Sequence, residues 1–157
     1  MVFTYETTVV PDWIDYNGHM RDAYYGLIFS LAVDALQDEI GFDEDYRART
    51  GCTIYLVEDH KYYLQEVKVG ERVRVDTVIL DSDEKRFHLH MQMMNSSRTV
   101  AVGEFMELHV CQRPTPHAVP MPERIAALLS SARLSPAERN ALARQSRSIK
   151  LKSARQQ

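Results

Sequence analysis

Much is missing from this 157-residue chain, and each absence narrows its function. It has two cysteines, Cys52 and Cys111, far too few for a disulfide framework. No apolar run approaches the roughly 18–20 residues that span a bilayer. The N-terminus, Met1-Val2-Phe3-Thr4-Tyr5-Glu6, lacks the basic start and apolar stretch of a signal peptide. A formal net charge of -3 argues against a protein built for nucleic acid. A Gly-x-Ser-x-Gly elbow is absent, which disfavours a serine hydrolase. Neither a Gly-x-Gly-x-x-Gly fingerprint nor a Walker sequence occurs, so nucleotide-phosphate cradles of those kinds are not expected. What remains is an ordinary globular composition, 45% apolar and 26% charged, and a cytoplasmic location is the plain expectation.

The chain reads in three parts. Residues 3–11 alternate as a first strand ending at Pro11. A polar and aromatic loop runs from Asp12 to Arg21, and a helix is predicted from Asp22, as its cap, to Ile40. Gly41 stops that helix, since glycine takes the left-handed conformation cheaply. Tyr24, Leu27, Ile28, Phe29, Leu31, Ala32 and Val33 leave it little polar surface, so it reads as enclosed.

Four strands follow in the pattern: Cys52–Val67, with Ile54, Leu56, Tyr62 and Leu64 in one alternation; Val73–Ile79; Phe87–Met93; and Val100–Val110. In the last, Val100, Val102, Met106, Leu108 and Val110 are the apolar positions. Short turns at Asp81-Ser82-Asp83 and Asn95-Ser96-Ser97 make this an antiparallel meander with one buried face. The expected fold is therefore α+β: one long central helix wrapped by a curved antiparallel sheet of five strands, with a helical C-terminal extension. The proline cluster Pro114, Pro116, Pro120 and Pro122 reads as a stiff connector, so domains are placed at 1–112 and 113–157. In the extension, Ser135-Pro136-Ala137-Glu138 has a capping-box pattern. From Arg133 onward seven Lys or Arg residues face one Glu, which reads as a solvated tail or as a contact to phosphates or a partner.

The chemistry concentrates between Asp12 and Tyr25, where a carboxylate, an amide, a glycine and an imidazole precede an apolar helix. The start of such a helix offers free N–H groups and partial positive charge, suited to an oxyanion. An upstream carboxylate can attack an acyl carbon or activate water. His88 and His90 share a strand face at metal-ligand spacing, but without a third ligand they read as a solvated face, and no metal is expected.

The run Asp15-Tyr16-Asn17-Gly18-His19-Met20, then Ala23-Tyr24-Tyr25 entering a helix, resembles the signature of the 4-hydroxybenzoyl-CoA thioesterase branch of the hotdog-fold superfamily. His60-Lys61-Tyr62-Tyr63-Leu64-Gln65-Glu66-Val67 and the following Val69-Gly70-Glu71 are similar to that family's strand and turn. The resemblance implies hydrolysis of an acyl-CoA, with Asp15 as nucleophile or general base and the amides near Gly18 or His19 polarising the carbonyl. Trp13 and Arg21-Asp22 depart from the family's Asp and paired Asn. It also implies a homodimer or dimer of dimers in which the strand after the central helix pairs with its copy. Glu58 and His60 would then act on the neighbouring subunit's substrate, with Asn17 and the helix start lining the same site. No cofactor is implied beyond the coenzyme A of the substrate, and neither membrane nor nucleic acid as partner. The chain is similar, within this branch, to betainyl-CoA thioesterases of carnitine breakdown. Trp13, Tyr16, Tyr24 and Tyr25 would on that basis form an aromatic cage for a quaternary ammonium group. Two other readings stand beside this one: an acyl-thioester hydratase or dehydratase, and a non-catalytic binder of acyl-CoA or acyl-carrier protein.

Overall fold

The computed structural model describes residues 1–149. In chain order the elements are β1 (Phe3–Thr8), α1 (Asp22–Ile40), α2 (Glu44–Thr50), β2 (Cys52–Tyr63), β3 (Arg72–Ser82), β4 (Arg86–Asn95), β5 (Arg98–Cys111), β6 (His117–Ala118), α3 (Glu123–Ser131) and α4 (Pro136–Asn140). The sheet is antiparallel and ordered β1-β3-β4-β5-β2, with two-residue β6 added beside β5.

This is the predicted architecture, a long helix against one face of a curved sheet. Ile28, Phe29, Ala32, Leu36 and Ile40 of α1 are buried against Val75 and Ile79 of β3 and Phe87, Leu89, Met91 and Met93 of β4. Strict period-two alternation in β3 and β4 puts every one of those apolar side chains on the helix side. Gly41 ends α1 at φ 103°, and its N–H bonds the carbonyl of Gln37. At the other end the cap position belongs to Arg21, and Asp22 is the first helical residue with no side-chain capping bond. Contrary to the expectation of an enclosed helix, Leu27, Ser30 and Asp34 leave one stripe of α1 exposed beside the edge strand β2.

Two features escaped the pattern. Helix α2 is a short turn that begins when the Asp43 carboxylate accepts from the N–H of Tyr46 and ends at left-handed Gly51. Strand β2 carries a bulge between Leu56 and Glu58. An extra residue in one strand inverts the side-chain phase beyond it. Ile54 and Leu56 therefore face α1, whereas Glu58, His60 and Tyr62 face the opposite, outer side. Lys61 and Tyr63 take the inner positions, the first over the Phe105 ring and the second edge-on to Tyr25.

Strand β5 likewise shows α1 the side that its apolar pattern did not suggest. Phe105, Glu107 and His109 point inward, while Val102, Glu104 and Met106 lie outside, beside His90 and His88. Beyond Gln112 the chain packs onto this body. Ile125 and Leu129 of α3 are buried in the common core, the Leu134 N–H bonds the Ile79 carbonyl, and α4 opens with the expected capping box at Ser135 and Glu138.

Candidate active site

The loop before α1 is a tight turn organised by Asp15. Its backbone N–H donates to the His19 carbonyl at 2.9 Å, and its carbonyl accepts from Gly18 N–H at 3.1 Å. An isolated bridge joins Ile14 to Met20 around this loop, and Gly18 adopts φ 80°, a conformation glycine tolerates. The Asp15 Oδ1 accepts from the N–H groups of Asn17 at 2.8 Å and His19 at 3.3 Å. Oδ2 carries no backbone partner among the described residues. Partial desolvation pushes this carboxyl upward, but the backbone donors of Asn17 and His19, the Asn17 side chain and the charge of His19 outweigh it and hold the acid below its ordinary value. At neutral pH Asp15 is an anion with one oxygen clear of backbone bonds.

The same bonds correct one expectation. The amides of Gly18 and His19 are turned back onto Asp15 itself, so they do not face a substrate carbonyl. The first amides of α1, those of Asp22 and Ala23, have no acceptor among the described residues. The helix start is anchored by Arg21 N–H to the Trp13 carbonyl and Met20 N–H to the Val67 carbonyl. Beside it lies an open cleft of about 280 Å³ lined by Met20, Asp22, Tyr25 and residues 63–66.

The other candidates separate. The His19 imidazole pairs with Glu66 across 3.1 Å, at the rim of this cleft and not with Asp15. Trp13 and Tyr24 stack face on face, their centroids 5.6 Å apart, so each occupies the other's π surface. Tyr25 is buried, donates its hydroxyl to the Gln65 carbonyl and packs against Tyr63; burial raises that phenol. Tyr16 is 94% exposed. The four aromatics thus do not converge into a cage within the protomer.

Glu58 and His60, flipped by the bulge, line a small cavity on the outer face with His88, Glu104 and Ser146. His88 and His90 are not a solvated face. His88 bonds Glu104 at 2.9 Å, and His90, 3% exposed, bonds the Arg144 carbonyl. The chain around Arg144–Arg147 lies across this face: Ser146 donates twice to Glu104, and the Tyr62 hydroxyl donates to the Gln145 carbonyl. That part of the basic tail is docked, while residues 150–157 lie outside the described residues.

A residue the pattern did not single out is Glu107. It is buried beneath α1, facing Asp34, and burial pushes its carboxyl from 4.5 to about 7. A charged residue in the midst of an apolar strand was its only sequence signal.

The profile of the thioesterase-like superfamily matches residues 9–129. The chain belongs to that superfamily. It is 43% identical over 138 residues to a betainyl-CoA thioesterase of Pseudomonas aeruginosa, covering 85% of this chain and 87% of that protein. An L-carnitine dehydrogenase/betainyl-CoA thioesterase of Agrobacterium fabrum is 47% identical over 107 residues, 68% of this chain and 22% of that longer protein. Among solved structures, one of a thioesterase from Pseudomonas putida KT2440, so named provisionally, superposes with a TM-score of 0.77 at 37% identity, covering 98% and 97% of the two chains. A Staphylococcus aureus protein solved in complex with CoA gives 0.77 at 28% identity, covering 86% and 87%. The fold is the hotdog fold, and the chain is a thioester hydrolase acting on acyl-CoA.

Proposed function

We propose that this thioesterase hydrolyses betainyl-CoA to betaine and free coenzyme A at Asp15. The observation that carries the reading is the Asp15 loop: an ionised carboxylate held by backbone N–H groups in the turn that leads into α1, whose first amides have no acceptor among the described residues. The carboxylate attacks the thioester carbon or takes a proton from the attacking water. The carbonyl oxygen becomes an oxyanion held by the amides of Asp22 and Ala23, where the helix dipole adds to the hydrogen bonds. Collapse of the tetrahedral intermediate expels the coenzyme A thiolate; in the water route the proton held by Asp15 is returned to it, and in the direct route water then hydrolyses the Asp15 anhydride, releasing betaine and the proton that the thiolate takes up. The betainyl group is supported by the Pseudomonas aeruginosa relative, which covers nearly the same length.

The working unit in this reading is a pair of copies joined along β2. That strand is a sheet edge whose Tyr55, Leu56 and Val57 are exposed, Leu56 at 53% and Val57 at 51%. An apolar edge of this length is a template for another strand unless it is covered.

Thiol release from a panel of acyl-CoAs tests the reading. Wild-type protein is expected to turn over betainyl-CoA in preference to neutral short acyl-CoAs. Asp15→Asn is expected to lose about 10²–10⁴-fold in kcat with its fold and assembly intact. Equal release by the two proteins across the panel would remove Asp15 from the mechanism. A preference for neutral acyl groups would remove betainyl-CoA.

A further inference from the structure

Glu107 is 3% exposed, yet its carboxylate has neither hydrogen bond nor ion pair among the described residues. It opens into a cleft of about 150 Å³ between α1 and the inner face of β2 and β5, whose lining includes Ser30, Asp34, Gln37, Ile54 and Leu56. The cation in that lining, Lys61, is already paired with Asp59 and rests over the Phe105 ring. A carboxylate withdrawn from water without a counter-charge is unfavourable, and a second acid, Asp34, increases the negative field. Glu107 has no paired cation among the described residues.

The walls say which kind of cation fits. Val33, Ile54, Leu56 and Phe105 are apolar, and among the described residues no group of three His, Cys, Asp or Glu side chains could hold a metal ion there. A quaternary ammonium has no N–H to satisfy, is weakly hydrated and presents methyl groups to apolar walls. Its attraction to a carboxylate needs charge and contact, not hydrogen-bond geometry.

Reach decides which active site is served. About 18 Å of helical rise separates Asp22 from Asp34, whereas the betainyl nitrogen lies only two bonds from the thioester carbon. Glu107 therefore does not serve Asp15 of its own chain. Helix α1 runs opposite to β2, since Tyr25 meets Tyr63 while Asp34 and Gln37 share the cleft with Ile54 and Leu56. Antiparallel pairing of two β2 edges would lay two α1 helices antiparallel along the seam. The Asp34 end of one helix then faces the early turns of the other. We infer that Glu107, with Asp34 at the rim, is the counter-ion for the quaternary-ammonium end of an acyl thioester held at Asp15 of the neighbouring copy. The inference rests on the proposed thioesterase reading and its paired copies, and gives them a specificity-determining residue.

The test compares betainyl-CoA with 3,3-dimethylbutyryl-CoA, which replaces the charged nitrogen with carbon at nearly constant shape. Glu107→Gln should lower kcat/KM for betainyl-CoA at least about tenfold and leave the neutral thioester unchanged or improved. Asp34→Asn should act in the same direction and stands in should Glu107→Gln fail to fold. An unchanged ratio between the two substrates overturns the subsite. Mixed dimers of Asp15→Asn and Glu107→Gln chains should regain betainyl-CoA turnover, because one of the two sites then has both residues; no regain overturns the cross-seam placement. Calorimetry with glycine betaine on Asp15→Asn protein, with and without Glu107→Gln, separates this inference from the hydrolytic reading. Glu107-dependent binding without turnover of either thioester keeps the subsite and discards betainyl-CoA hydrolysis. Turnover with binding indifferent to Glu107 does the reverse.

Discussion

Two carboxylates in this protein are tuned in opposite directions by what surrounds them. Asp15 receives backbone N–H groups from its own loop, which favour the anion. Glu107 receives burial and the neighbouring charge of Asp34, which favour the neutral acid and carry it to about 7. That raised value fixes a stability prediction with a definite sign. The unfolded chain ionises Glu107 near 4.5 and the folded one near 7, so its contribution to stability is present below the lower value and lost as pH rises through the upper one. Glu107→Gln should therefore stabilise the protein at pH 8, by on the order of 3 kcal/mol, and leave it unchanged at pH 4. Denaturant melts at the two pH values measure it, and a gain of the same size at both would mean that charge is not the cause.

At the scale of elements, the site depends on where helices begin and strands bulge. The α1 boundaries were legible because Arg21-Asp22 precedes the apolar run and Gly41 follows it. Strands β3 and β4 were legible because alternation of apolar and polar residues is their whole instruction. The phase of β2 was not, because a bulge at Val57 leaves no mark in an apolar sequence, and it sent Glu58 and His60 to the face away from α1. Strand β5 misled for a related reason: both of its faces are apolar enough to be buried, one by α1 and the other by the segment around Arg144–Arg147. Helix α2 hangs on its cap, so Asp43→Ala should cost about 1 kcal/mol in a urea melt. Its kcat should stay unchanged, because α2 touches neither cleft.

On the scale of the whole molecule, the outer sheet face and the β2 edge decide what can assemble. The docked C-terminal segment covers His90 and Glu104, so a chain ending at Ala141 should melt at lower temperature while keeping its thioesterase activity. Scanning calorimetry with a thiol-release assay checks both halves. Val57→Lys would put a charge on the exposed β2 edge, a device that blocks strand pairing. The expected outcome is a monomer by light scattering whose kcat/KM for betainyl-CoA falls at least about tenfold, since a lone copy would lack the facing Glu107. A fully active monomer would contradict the shared site.

The sequence by itself determined the hotdog architecture and the loop that carries Asp15, because periodicity, glycine stops and a compact local motif are encoded over a few residues. The tertiary structure decided which faces the side chains of β2 and β5 present, that His88 and His90 are covered, that the aromatics near Asp15 are used in stacking and packing, and that Glu107 lies uncompensated beneath α1. Each of those outcomes depends on a single-residue bulge or on contact between segments far apart in the chain. Local pattern carries no record of either.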